Sequence, residues 1–220
     1  MMGRRLRENG LSLVLFLFFL IFLVGQSVTG HREYNSERQE HGQPAVNYAE
    51  YLASSHFAEA TFENWESEFL QMGVYVLFTV FLFQKGSSES KRIGVKEVVD
   101  AEPKSPPAED APWPVRKGGL ALALYRHSLS LAFLLLFFVS FALHAAGGAR
   151  EYSEEQVLHG GEAVSTLEYV ATARFWFESF QNWQSEFLAI GAMVVLSIFL
   201  RQQGSPESKP VDAPHGETGD

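Results

Sequence analysis

Apolar residues collect in four runs, which are separated by long polar segments. The runs cover residues 11–28, 69–83, 129–143 and 187–200, and none of them contains a charged residue. A helix that crosses a bilayer needs about 20 residues, and about 17 is the lower limit. The first run reaches that length alone, whereas the others reach it only with adjoining turns. The pattern therefore predicts four membrane-spanning helices in an all-α protein.

The second and fourth runs must be extended on their N-terminal sides, because each ends in polar residues followed by Gly86 or Gly204. Such a polar end with a glycine is a stop signal for a helix. The turns that extend these two spans have the sequences FENWESEFL at 62–70 and FQNWQSEFL at 180–188. Both contain a tryptophan, a residue that is favoured at the membrane–water interface. The spans are therefore expected at about 10–29, 62–84, 125–146 and 180–202.

The two quoted stretches belong to a longer repeat. When the chain is shifted so that Trp65 falls on Trp183, it aligns on itself without a gap, and about half of the positions between 32 and 91 are identical. We predict one hairpin repeat at 1–85 and a second at 119–203. Because each hairpin crosses the membrane twice, both copies have the same orientation and form a parallel repeat.

A cleaved signal peptide is an alternative interpretation of the first run, because three arginines precede it. The repeat argues against cleavage, since the counterpart of this run at 129–143 lies inside the chain. Lysine and arginine are concentrated near the termini and the central linker, which predicts that these parts are cytoplasmic. The linker at 86–118 and the tail at 204–220 are rich in Pro, Glu and Ser, so we expect both to be disordered.

The repeated motif carries a polar stripe at helical spacing, which we call the predicted seam. A glutamate at the edge of the hydrocarbon is costly unless it faces protein or water, so Glu68 and Glu186 should point inward. Each lies four residues after an asparagine and so contacts it. Two interpretations of the seam are open. In one it fixes the packing of the helices, and in the other its two carboxylates share a proton. It consists of Asn64, Ser67, Glu68, Asn182, Ser185 and Glu186.

A second set of repeated polar residues lies between the spans of each hairpin, where we expect a small helical cap outside the cytoplasm. In each copy a Glu and a His lie four residues apart, before a glycine that is typical of a helix C-terminus. One Glu and one His are too few ligands to predict a zinc site. The set consists of Glu37, His41, Glu50, Tyr51, Glu155, His159, Glu168 and Tyr169.

Composition excludes several classes of function. The chain has no cysteine, which rules out thiol catalysis, disulfides and cysteine-based metal sites. Its net charge of −9 argues against a nucleic-acid partner, which requires a basic surface. Only His144 lies close to a span, so a haem between facing histidines is rejected. We therefore predict no cofactor and no metal.

The stretch FENWESEFLQMG, with EHGQPAV before it and QKGSSESK after it, resembles a family of small bacterial integral membrane proteins classed as a domain of unknown function. The resemblance covers both copies. The second copy departs from the pattern with Gly161-Glu162 where the first has Gln43-Pro44. The resemblance implies a location in the bacterial inner membrane.

The function that we expect is a non-enzymatic structural or interaction component of that membrane. Its partners would be the lipid bilayer and either another membrane protein or a second copy of the chain. The alternative is a small transporter or channel that uses Glu68 and Glu186 as a proton or cation site. A membrane enzyme ranks third, because the repeated residues lack a recognisable catalytic arrangement. It would need four residues to converge on a cleft: Glu37, His41, Glu50 and Tyr51.

Overall fold

The computed structural model describes residues 7–219, and this part of the chain is helical without strands. The all-α prediction is therefore confirmed. The helices are α1 (Gly10–Glu40), α2 (Tyr48–Leu52), α3 (Ser55–Phe78), α4 (Trp113–Lys117), α5 (Gly119–Arg126), α6 (Ser128–Leu158), α7 (Thr166–Val170) and α8 (Ala173–Phe199), with a 3-10 turn at Val98–Asp100.

The long helices form where leucine, phenylalanine and alanine dominate and proline is absent, and two of them, α1 and α6, end in the same way. After α1, Gly42 has φ +70° and the N–H of Gln43 donates to the carbonyl of Arg38 at 2.8 Å. After α6, Gly160 has φ +80° and the N–H of Gly161 donates to the carbonyl of Gln156 at 2.8 Å. Both are the glycine-based terminus in which a left-handed residue satisfies the last carbonyls.

Three of the helices are long and apolar enough to cross a membrane: α1, α6 and α8. The chain therefore has the character of a membrane protein. Helix α3 is more polar, because every stretch of 18 residues within it contains at least three glutamates. It also ends at Phe78, although the apolar run continues to Phe83. Helix α1 continues eleven residues past the expected end of the first span, so most of the predicted cap is an extension of the long helices.

The structure divides into two compact units, residues 1–62 with 143–172, and residues 63–142 with 173–220. We call the first the cap unit. It contains α1, α2, the beginning of α3, the end of α6, and α7. Its core is aromatic and small: Tyr34, Tyr51 and Tyr169 are buried, and so are Ala145 and Ala149.

We call the second the linker unit, because it contains the linker and the tail together with most of α3, α8 and the first half of α6. Its core includes Phe137 and the fully buried Phe175. Within it, tail and linker are joined: the N–H of Gly86 donates to Thr218 Oγ1 at 2.8 Å, and Gly219 N–H donates to the carbonyl of Ser87 at 3.0 Å. Disorder of the linker and tail stays a prediction.

Candidate functional site

The first part of the candidate site is the short helix α2 and its tyrosine. Asn47 begins the helix with a capping box: its side chain accepts from Glu50 N–H at 3.0 Å, and Glu50 Oε2 accepts from Asn47 N–H at 2.7 Å. The cap turns Tyr51 inward, where only 1% of it is exposed. Its hydroxyl lies against Gly30 of α1, at a place that any Cβ on residue 30 would occupy. Burial raises the pKa of Tyr51.

Helix α7 has the same construction. Ser165 accepts from Glu168 N–H at 3.3 Å, and Glu168 Oε2 accepts from Ser165 N–H at 2.7 Å. The hydrogen bond from the Ser165 backbone N–H is the main cause of a lowered pKa of the Glu168 carboxyl, and the Ser165 side chain lowers it further. The buried Tyr169 lies against Gly148 of α6, where a Cβ would be 2.6 Å from its Cε1 and its hydroxyl oxygen. Tyr169 also donates to Glu59 Oε1 at 3.2 Å, and Glu59 is only 8% exposed.

The remaining predicted cap residues close the ends of the long helices. His41 Nδ1 lies 2.9 Å from the carbonyl of Glu37, and His159 Nδ1 lies 2.8 Å from the carbonyl of Glu155. All four of these side chains are exposed. Tyr51, in contrast, is buried.

The second part of the candidate site lies in the linker unit, where polar groups join α3 to α8. Glu66 is fully buried, and its Oε1 accepts a hydrogen bond from Trp183 Nε1 at 2.9 Å. One turn further along, Gln71 Nε2 donates to the backbone carbonyl of Glu186 at 2.7 Å. Trp183 also meets Phe137 of α6 edge-on, with ring centroids 6.2 Å apart. Two polar contacts and an aromatic contact therefore hold these helices together.

The predicted seam is only partly at this junction. Ser67 is buried, but Asn64 and Glu68 are exposed, and Glu186 is half-buried. Glu68 is therefore exposed in the single chain, and the seam as a whole stays a prediction. Ser67 Oγ donates to the carbonyl of Asn64 at 2.8 Å rather than across to another helix.

In the second copy the same local bond is formed. Ser185 Oγ donates to the carbonyl of Asn182 at 2.8 Å, and its side chain is exposed. Asn182 is half-buried. The two serine hydroxyls therefore each form a hydrogen bond within their own helix.

The different burial of Glu66 and Glu68 has a simple geometric cause. Helix residues that are two positions apart are separated by about 200° of rotation, so these two side chains lie on nearly opposite faces. The repeat drew attention to Glu68 because its counterpart is also Glu, whereas Glu66 is matched by Gln184. A glycine marks the correct face: Gly73 lies seven residues after Glu66, and a Cβ there would be 3.2 Å from Phe133.

The chemistry of the two buried carboxylates is alike. Glu59 accepts from a tyrosine hydroxyl and Glu66 from an indole N–H, and both donors are neutral. A buried carboxylate among apolar helices is costly when ionised unless it is hydrogen-bonded, and both of these carboxylates are. The arrangement can orient helices.

Comparison with known proteins finds one family. The model of a family described as "Domain of unknown function (DUF6766)" matches residues 2–220. No curated protein matches the chain, and no solved structure does. The family match covers nearly the whole chain, so the resemblance expected from the motif is supported at the level of a domain of unknown function. The chain belongs to this domain-of-unknown-function family, DUF6766.

Proposed function

We propose that the protein is a non-enzymatic structural or interaction component of the bacterial inner membrane, built from two tandem copies of a two-pass hairpin. Four spans, both termini in the cytoplasm and two caps outside make up this arrangement. The recurrence of elements at one spacing is the observation that carries it. Helices α1, α2 and α3 begin at residues 10, 48 and 55, and α6, α7 and α8 begin at 128, 166 and 173. Every pair is separated by the shift that superposes the sequence on itself.

The fourth span is supported by the contacts of the cap unit. Ser55 Oγ donates to Glu151 Oε2 at 2.8 Å, and Tyr169 donates to Glu59. These bonds join the two caps, which therefore lie on one side of the membrane. The chain leaves that side through α3 and returns through α6, so α3 must cross if α6 does.

The length of α3 is compatible with crossing. Backbone hydrogen bonds continue past Phe78 to Leu82, whose N–H donates to the carbonyl of Phe78 at 2.8 Å. Residues 62–82 would then cover about 31 Å at 1.5 Å per residue, close to the thickness of the hydrocarbon. Satisfied amides are what a segment in hydrocarbon requires.

The topology is tested with two reporter proteins, one active only outside the cytoplasm and one fluorescent only inside it. Each is inserted into the full chain at one of four positions: after Gln43, Pro106, Gly161 or Glu217. Four spans predict that the first and third positions are outside and the second and fourth inside. If α3 does not cross, the reporters after Pro106, Gly161 and Glu217 all change sides. That result would refute the four-span arrangement, and a chain recovered from the soluble fraction would refute the membrane proposal itself.

A second candidate function is proton or cation transport. The sequence predicts Glu68 and Glu186 as its site, but the burial of Glu66 makes that residue the better candidate. A buried ionisable residue in a membrane helix is often functional. The test is a proton-flux assay with the full chain in vesicles that enclose a pH-sensitive dye. Transport through Glu66 predicts flux that Glu66→Gln abolishes, and absence of flux in the unaltered protein removes this candidate.

A further inference from the structure

A groove of about 850 Å³ in the linker unit lies beside the start of α6. Its walls come from α4, α5 and the first two turns of α6, and its floor is apolar. Trp113, Leu120 and Leu135 line it with 59%, 76% and 65% of their surface exposed. Large apolar side chains that exposed are costly in water, so they require a cover.

The groove has a basic rim in an acidic protein. Lys117 is the one charged residue among those that line it, and its Nζ lies 4.7 Å from the centre of the Trp113 ring. Arg116 precedes it in the last turn of α4 and is exposed. The whole chain carries a net charge of −9. A cationic rim above an apolar floor is complementary to a ligand with a negative head and a hydrocarbon tail.

Two glycines form the corner between α4 and α5. Gly118 and Gly119 have φ +67° and +60°, a backbone region that other residues rarely adopt. A Cβ on either would meet nothing within 4 Å, so the backbone conformation, not the available space, accounts for glycine here. The corner places the basic end of α4 beside the apolar α5, and Leu131 and Leu135 continue the floor into a helix that can span a membrane.

We propose that this groove binds an anionic phospholipid of the leaflet that faces the linker. Its phosphate lies at Lys117 and Arg116, an acyl chain lies along Leu120 and Leu135, and Trp113 lies at the interface. Basic residues next to a span attract anionic lipid, and each contributes about 1 kcal/mol. Tryptophan is favoured at this depth. The inference rests on the proposed membrane insertion, because the groove must open to lipid.

The test measures quenching of tryptophan fluorescence by brominated lipid. The full chain is placed in bilayers of four parts phosphatidylcholine and one part phosphatidylglycerol, with bromine on one of the two lipids at equal mole fraction. The contribution of Trp113 is the difference between the unaltered chain and Trp113→Phe. We expect brominated phosphatidylglycerol to quench the Trp113 contribution more strongly than brominated phosphatidylcholine does. This preference should fall in the double variant Arg116→Gln/Lys117→Gln, by about fivefold for each basic residue that is replaced.

The matched control replaces Lys96 and Lys104 by Gln, which removes the same charge from exposed linker positions that do not line the groove. Retention of the preference in this control supports a built site, whereas an equal loss means general attraction and overturns the inference. Equal quenching by both lipids also overturns it. The inference is also overturned if lipid quenching of Trp113 decreases as more protein is placed in each bilayer, because a second copy of the chain would then cover the groove. If Trp113 is unquenched while the other tryptophans are quenched, only this inference fails; if none is quenched, membrane insertion fails as well.

Discussion

Replacing Gly30 by Ala should destabilise the protein through a single atom. The added Cβ would overlap the hydroxyl oxygen of Tyr51, while the next atom of that ring, Cζ, would be 3.1 Å away. Overpacking a closely packed site costs about 1–3 kcal/mol. Alanine also gains about 0.5–1 kcal/mol over glycine within a helix. Gly25→Ala in the same helix is the matched control, because a Cβ there meets nothing within 4 Å.

Both variants gain the same helix propensity, so this gain cancels when their free energies of unfolding are subtracted. The remaining difference is the cost of the overlap with Tyr51, about 1–3 kcal/mol. Tyr51→Phe deletes the overlapping oxygen and leaves only the 3.1 Å contact, which a small shift relieves. In the Tyr51→Phe background the difference should therefore shrink to less than about 0.5 kcal/mol. The assay is unfolding of the full chain in mixed micelles, followed by helical circular dichroism as the fraction of denaturing detergent rises.

The second copy gives the opposite result for a geometric reason. A Cβ on Gly148 would be 2.6 Å from Tyr169 Cε1 and 2.7 Å from Cζ, so ring carbons overlap as well as the hydroxyl. Tyr169→Phe should not rescue Gly148→Ala. The reasoning is refuted if Gly30→Ala is as stable as Gly25→Ala, or if Tyr169→Phe rescues Gly148→Ala as fully as Tyr51→Phe rescues Gly30→Ala.

Three further predictions concern the caps and the junction. Ser165→Ala and Asn47→Ala should each lower the free energy of unfolding by about 1 kcal/mol, because each removes the acceptor at a helix N-terminus; equal stability in the same detergent assay would contradict this. Gln71→Ala should cost about 0.5–1.5 kcal/mol by deleting the bond to the Glu186 carbonyl, and an unchanged unfolding curve would show that this bond is dispensable. The pKa of Glu168 is lower in the folded protein than in the unfolded chain. Its contribution to the free energy of unfolding is therefore fully present above the unfolded pKa and is lost as the pH falls through the folded pKa. In a pH titration of stability, Glu168→Gln should lack this part of the acid sensitivity, and an unchanged pH dependence would contradict the prediction.

Local signals in the sequence determined the helical elements and their spacing. Apolar runs without proline must form helices in a membrane, since no other open structure satisfies the backbone there. Gly42 and Gly160 end those helices because a left-handed residue is needed at that point. Each of these features depends on residues close together in the chain, which is why it recurs in both copies and could be predicted without coordinates.

Only the tertiary structure decided which face of α3 is buried. The repeat favoured Glu68, but packing against α8 buried Glu66, and both choices satisfy the same helical periodicity. Likewise, nothing local in the sequence pairs Tyr51 with Gly30 or Tyr169 with Glu59. The rotation of a helix about its axis depends on the surfaces that meet it, and those surfaces come from segments tens of residues away.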